Sequence, residues 1–144
     1  MNNKIIVSIL SLVLFATLSV FASDMGFTKA LKNCSAYSDS GQVQTSGMNV
    51  KSNKKIVGWQ GDRCAYKETI SFMNINSEIS CKFTKAQINE IVSVMDAYDL
   101  VQKYSGSSPD LSNIEEAQKT PVSKVWSKYL QDSTVCTITT SQDE

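Results

Sequence analysis

The chain contains no histidine. A Ser-His-Asp triad, a Cys-His nucleophile pair and every histidine-containing zinc site are therefore excluded by composition. No C-x-x-C pair occurs, so a thioredoxin-type redox centre lacks its residues. There is no P-loop and no G-x-G-x-x-G fingerprint, and the acidic residues between Asp96 and Asp99 lack EF-hand spacing. An excess of either charge is also missing: 14 Lys and Arg face 14 Asp and Glu. That balance gives no electrostatic argument for nucleic acid or an anionic membrane as partner. No cofactor and no metal is nominated. No internal repeat, low-complexity segment or second domain interrupts the 144 residues.

The first feature present is an export pattern. Lys4 precedes an apolar run, Ile5 to Phe21, that ends Val20-Phe21-Ala22. A charged n-region, an h-region and a small residue before the cut predict a signal peptide over 1–22. The expected product is 23–144, a single disulfide-bonded α+β domain, exported to the periplasm or secreted and free of the membrane after cleavage. The alternative is an uncleaved anchor, for which a run of 17 residues sits at the lower limit of a span. Ser23 and not a cysteine stands directly after the cut, which argues against a lipoprotein.

Four cysteines, Cys34, Cys64, Cys81 and Cys136, in a small exported chain predict two disulfides. With all four paired, no thiolate remains as nucleophile or metal ligand.

The stretch Val57–Phe83 carries the clearest period-two pattern. Gly61-Asp62 suits a two-residue hairpin turn and places Trp59 opposite Cys64 and Val57 opposite Tyr66. A turn at Ser52-Asn53 would set Val50 opposite Lys55. A turn near Asn74-Ile75 would set Ile70 opposite Ile79 and Glu68 opposite Cys81. One face then collects Met48, Val50, Val57, Trp59, Cys64, Tyr66, Ile70, Phe72, Ile79, Cys81 and Phe83. The other is polar, with Lys54, Lys67, Thr69, Ser71, Glu78, Ser80 and Lys82 on it and Ile56 and Met73 as exceptions. The pattern predicts a four-stranded antiparallel meander with one wet face. In that register Cys64 and Cys81 lie four residues out of step, about 14 Å at the rise of a strand and beyond disulfide reach. Cys34–Cys64 with Cys81–Cys136 is then the preferred pairing. Cys34–Cys81 with Cys64–Cys136 stays open.

Helical periods flank the sheet. Asp24 to Cys34 reads as a short helix capped by Asp24, with Phe27, Ala30, Leu31 and Cys34 on one stripe. Ser35 to Gly41 reads as a loop. After Phe83 the period changes to 3.6. Thr84 and Gln87 form a capping box, and Ile88, Ile91, Val92, Met95 and Tyr98 form the apolar stripe. Asp99 falls on that stripe too, so the packed part should end near Tyr98 and any continuation by Ser105-Gly106. A polar loop follows over 105–119, with one turn capped by Ser112 and Glu115. Thr120 and Pro121 open the last helix, whose apolar face is Val122, Val125, Trp126, Tyr129 and Leu130. Val135 to Thr139 is a short β-like tail. The fold class predicted is α+β, a four-stranded antiparallel meander with one face covered by helices and two disulfides.

Glu68 is the one catalytic candidate, an acidic residue on the apolar face, opposite Lys55 and Cys81. It suits a general acid of raised pKa, or a carboxylate paired with Lys55 where the face meets solvent. A glycosidase would need a second carboxylate across a cleft. Trp59 and Trp126, with Tyr66, Tyr98 and Tyr129, are either a ligand groove or core. Lys51, Lys54 and Lys55 cluster at one expected hairpin tip, either as a phosphate contact or as a solvated edge.

The segments F-T-K-A-L-K-N-C-S-A-Y, G-W-x-x-x-x-C-x-Y, C-K-F-T-K-x-Q and K-Y-L-x-D-S-x-V-C span most of 23–144. Their four-cysteine spacing resembles small exported bacterial single-domain proteins of unknown function. The resemblance implies an exported, disulfide-bonded domain and supplies no catalytic residue. The function expected is a non-enzymatic binding or interaction module for an unknown protein or small ligand. The alternatives are a carboxylate-dependent hydrolase using Glu68 and an inhibitor of a secreted or envelope enzyme.

Overall fold

The computed structural model describes residues 25–45, 47–106 and 118–142. The expected signal segment, Asp24, and Ser112 and Glu115 of the polar loop lie outside these residues. So do the side chains of Val43, Thr45 and Met48.

Three helices and five strands follow one another among the described residues. They are α1 (Met25–Asn33), β1 (Tyr37–Thr45), β2 (Met48–Gln60), β3 (Arg63–Phe72), β4 (Ile75–Phe83), α2 (Lys85–Ser105), α3 (Pro121–Leu130) and β5 (Cys136–Gln142). The strands form one antiparallel sheet in chain order, β1-β2-β3-β4-β5. The four-stranded expectation is corrected in two places. The tail is not loosely β-like but pairs along β4 from Cys81–Cys136 to Ile75–Gln142. The segment expected as a loop from Ser35 to Gly41 is mostly β1, which pairs along β2 from Tyr37–Ile56 to Thr45–Met48.

Ser52-Asn53 is no turn. It lies in the middle of the 13-residue β2. Gly61-Asp62 is a turn, with Gly61 at φ +67°, the positive value that the first position of such a turn requires. Trp59 pairs with Cys64 as expected. The register then shifts between Ile56 and Gly58, a bulge in which Val57 is the extra residue. Tyr66 consequently faces Ile56 rather than Val57. The β3–β4 turn is Met73-Asn74, so Glu68 faces Ile79 and Ile70 faces Ser77. That is two residues from the expected register, an even slip that keeps every side chain on its expected face.

The helices cover one sheet face. Phe27, Ala30 and Leu31 of α1, Ile88, Ile91, Val92 and Met95 of α2, and Val122, Val125, Trp126 and Tyr129 of α3 join Val50, Ile56, Tyr66, Ile70, Ile79 and Phe83 in one core. Trp126 lies at its centre, 5.5 Å from the Tyr66 ring and 5.8 Å edge-on to Phe83, separations at which aromatic pairs attract beyond their buried area. The capping box on α2 is present in both directions, and Thr120 caps α3 through the Ser123 N–H. Helix α1 ends with Cys34 at φ +47°, while the Ser35 N–H reaches back to the Ala30 carbonyl. This is the helix-terminating pattern in which glycine is usual at the left-handed position.

The disulfides are Cys34–Cys64 and Cys81–Cys136. Cys64 faces Phe83 and Cys81 faces Tyr66, so the two are out of step by two residues, not four. Allowing for the strand spacing, the gap is still about 8 Å and too long for a bond. Cys34–Cys64 ties the end of α1 to β3. Cys81–Cys136 joins directly opposed residues on β4 and β5, so Cys136 lies within the sheet and not in the helical layer. Each bond restricts the unfolded chain by about 4 kcal/mol on the chain-entropy argument. No helix of the described residues is long and apolar enough to cross a membrane.

Candidate functional site

Glu68 stands on the inner face, and the structure seals it there. Its residue exposure is 1%. Ser52 on β2 donates its hydroxyl to one carboxylate oxygen at 2.7 Å, and Tyr66 donates to the other at 2.8 Å. Lys54 is its cross-strand partner on β2 and is itself 3% exposed. The expected partner Lys55 instead lies opposite Lys67 on the solvent side. The bulge at Val57 explains the exchange. It lets Ile56, Lys54, Ser52 and Val50 share the inner face, whereas unbroken alternation from Trp59 would have turned them outward.

The electrostatics follow from burial. Desolvation pushes the Glu68 carboxyl up, and Lys54, Ser52 and Tyr66 oppose it by favouring the anion. Burial also pushes the Tyr66 hydroxyl well up, with the Glu68 charge adding to it. The Lys54 ammonium lies 4.7 Å from the centre of the Phe27 ring, where the ring face attracts a cation. Asp39 is the β1 residue opposite Lys54, which sets a row Asp39–Lys54–Glu68 across three strands. Asp39 and Glu68 are two strand spacings apart, about 10 Å. Chemically this is a satisfied polar cluster under helix α1. No substrate reaches a carboxylate with 1% exposure without the core opening.

The aromatic candidates separate in the same way. Tyr66, Trp126 and Tyr129 are buried, and Trp59 is 44% exposed at the rim. They form no shared groove. Tyr129 donates its hydroxyl to Glu90, which Lys128 also holds at 2.8 Å. These partners keep the Glu90 carboxyl below its usual range, the Lys128 hydrogen bond first.

One surface feature went unread in the sequence, and a second was outlined there only as the wet face. The first is a groove of about 620 Å³ between α1 and α2, lined by Met25, Lys29, Lys32, Asp96, Asp99 and Leu100 among others. Partial burial, with Asp96 nearby, raises the Asp99 carboxyl. Its place on the apolar stripe was the available signal. The second is the outer face of the sheet, which none of the described helices covers. Its cross-strand rows include Lys55–Lys67–Ser80–Thr137 and Asn53–Thr69–Glu78–Thr139. Asn53 hydrogen-bonds Thr69 across it, and Ser71 hydrogen-bonds Asn76 at 2.7 Å. A hollow of about 370 Å³ includes Thr69, Ser71, Glu78 and Thr139.

Among the described residues no group of three or more His, Cys, Asp or Glu is placed to hold a metal ion. No protein-family model, no curated protein and no solved structure matches the chain.

Proposed function

We propose that this protein is an exported, non-enzymatic binding module that meets its partner on the outer face of the sheet. The apolar run Ile5–Phe21 with its Val20-Phe21-Ala22 end supports export, as do two disulfides, which persist in oxidising compartments. N-terminal sequencing of exported protein should begin at Ser23; retention of Met1 in a membrane fraction would favour an anchor instead.

One observation carries the binding role: Lys55 and Lys67 are directly opposed on neighbouring strands and both exposed on the outer face. Like charges in that position weaken a sheet, and an anionic partner would reverse the penalty. The hydrolase alternative is weaker because Glu68, its only candidate acid, is sealed by Ser52, Tyr66 and the helices. A photo-crosslinking residue placed at Thr69, on the outer face, should capture material from an envelope extract that the same probe at Ser93, on α2, does not. Equal capture at both positions, or none at Thr69, would remove the outer face as the binding surface. Turnover of a glycoside library that disappears in Glu68→Gln would replace the module with the hydrolase.

A further inference from the structure

We propose that the outer sheet face binds a linear acidic polysaccharide, one that carries carboxylate or sulfate groups along its length. This rests on the outer face being the binding surface and names its ligand class.

The argument starts from charge distribution. The whole chain is balanced, 14 against 14, but the outer face is not. The register directs Lys51 and Lys55 of β2, Arg63 and Lys67 of β3 and Lys82 of β4 outward, against Glu78, the one acid it directs outward among the described strand residues. Lys51, Lys55, Lys67 and Lys82 are all exposed. Their positions form a track. Lys51 lies four residues along β2 from Lys55, about 14 Å at the rise of a strand. Lys55 and Lys67 are opposed, and Lys82, opposite Ala65, is the next step diagonally, about 8 Å from Lys67. A ligand laid obliquely over β2, β3 and β4 meets a cation repeatedly along its length. Charge complementarity therefore calls for a chain with recurrent negative groups.

The neutral side chains narrow the class. Between and beside the cations stand Asn53, Thr69, Ser80 and Thr137, short hydroxyl and amide groups suited to sugar hydroxyls. Among the described residues the register directs no aromatic side chain to this face, so single-stranded nucleic acid finds no stacking platform. Apart from Ala65 and the bulged Val57 the face is polar, so it offers a bilayer little to insert. A folded protein partner is disfavoured because the centres of such interfaces are rich in aromatic residues and poor in lysine. A hydrated polyanion remains.

The test measures binding of the oxidised protein to polygalacturonate, dextran sulfate, neutral dextran, duplex DNA and phosphatidylglycerol vesicles over a range of salt. Binding to at least one acidic polysaccharide is expected, weakening with salt, with neutral dextran inert. The carboxylate and sulfate arms decide which group is preferred. Lys55→Gln/Lys67→Gln should weaken that binding at least about tenfold. Lys29→Gln/Lys103→Gln, the same charge change on the helical side, should stay within about twofold. The melting temperature of the sheet variant should not fall, because a repulsive pair has been removed, so lost binding is not lost folding. The proposal is overturned by no binding to either acidic polysaccharide at low salt, by equal losses in the two variants, or by tighter binding to DNA or vesicles. If it fails while crosslinking at Thr69 persists, the ligand class is wrong and the surface stands. If crosslinking at Thr69 is absent too, the binding surface falls with it.

Discussion

Lys54 and Lys55 are neighbours on one strand and occupy opposite settings. Lys54 is 3% exposed, across from Glu68 and against the Phe27 ring. Lys55 is in solvent, across from another lysine. Two settings for one residue type separate what folding requires from what it tolerates. Inside, an unmatched charge costs several kcal/mol, so the row Asp39–Lys54–Glu68 alternates in sign. Outside, water and salt screen the repulsion, so a like pair survives. Folding does not ask for Lys55 opposite Lys67, and a pair that folding does not ask for points to another demand on that face.

The inner row should be the more costly to disturb. Glu68→Leu removes the carboxylate facing Lys54 and the acceptor for Ser52 and Tyr66. It is expected to cost about 3–5 kcal/mol in urea unfolding. Lys54→Met/Glu68→Leu should recover most of that, since replacing both members of a buried pair by apolar groups is often neutral. A double variant as damaged as the two singles combined would mean that the charges do not act as a pair.

Next in size is a pH dependence. Burial raises the folded-state value of Glu68 above its unfolded one. The native state therefore holds that proton more tightly. Its stabilising contribution is complete below the ordinary glutamate range and is lost as pH rises through the raised folded value. Measured against Glu68→Gln, the wild type should lose melting temperature progressively as pH rises. A difference independent of pH would mean that Glu68 ionises as it does in water.

The outer face should respond with the opposite sign and less strongly. Lys67→Glu converts the like pair with Lys55 into an attractive one and should stabilise the fold by roughly 0.2–1 kcal/mol. Destabilisation by this change would show that the two side chains do not interact. Smallest of all is Glu90→Gln at the exposed end of the α2–α3 contact. The folded value of Glu90 is lowered, so its contribution is present above the ordinary range and lost as pH falls through the lowered one. Salt should erase the difference, as for any exposed pair.

The helices were the most legible part of the sequence. Ile88, Ile91, Val92 and Met95 declare their face by spacing alone, and Thr84 with Gln87 fixes where α2 begins. Gly61 fixed the central hairpin because few residues accept its φ. Strand β1 was missed and β2 was read as two strands about a turn at Ser52-Asn53, for one shared reason. Their inward positions include Asp39, Gly41, Ser52 and Lys54, so the alternation that identifies a half-buried strand is absent. Those residues extend because neighbouring strands pair with them, which is a tertiary cause. Glu68 was readable as inward and unusual. Its partner was not, because a one-residue bulge exchanges Lys54 for Lys55.

That bulge also divides the mutations β2 can accept. Before it, even-numbered residues such as Ser52, Lys54 and Ile56 turn toward the helices; after it, Trp59 shares the inner face with Cys64. Val57 is 39% exposed, so many side chains should serve there. Deleting the position would close the bulge without turning a side chain over: Ile56 would stay opposite Tyr66, and Gly58 and Trp59 opposite Ala65 and Cys64, in unbroken alternation. Drawing Val57 into the ladder is a different matter. Paired as an ordinary strand residue, it would put the halves of β2 out of phase, and either Trp59 or the whole run from Val50 to Ile56 would turn over. The second outcome would carry Lys51 and Lys55 into the core and Ile56 into water. What β2 must keep at position 57 is thus a residue left out of the ladder, or no residue at all.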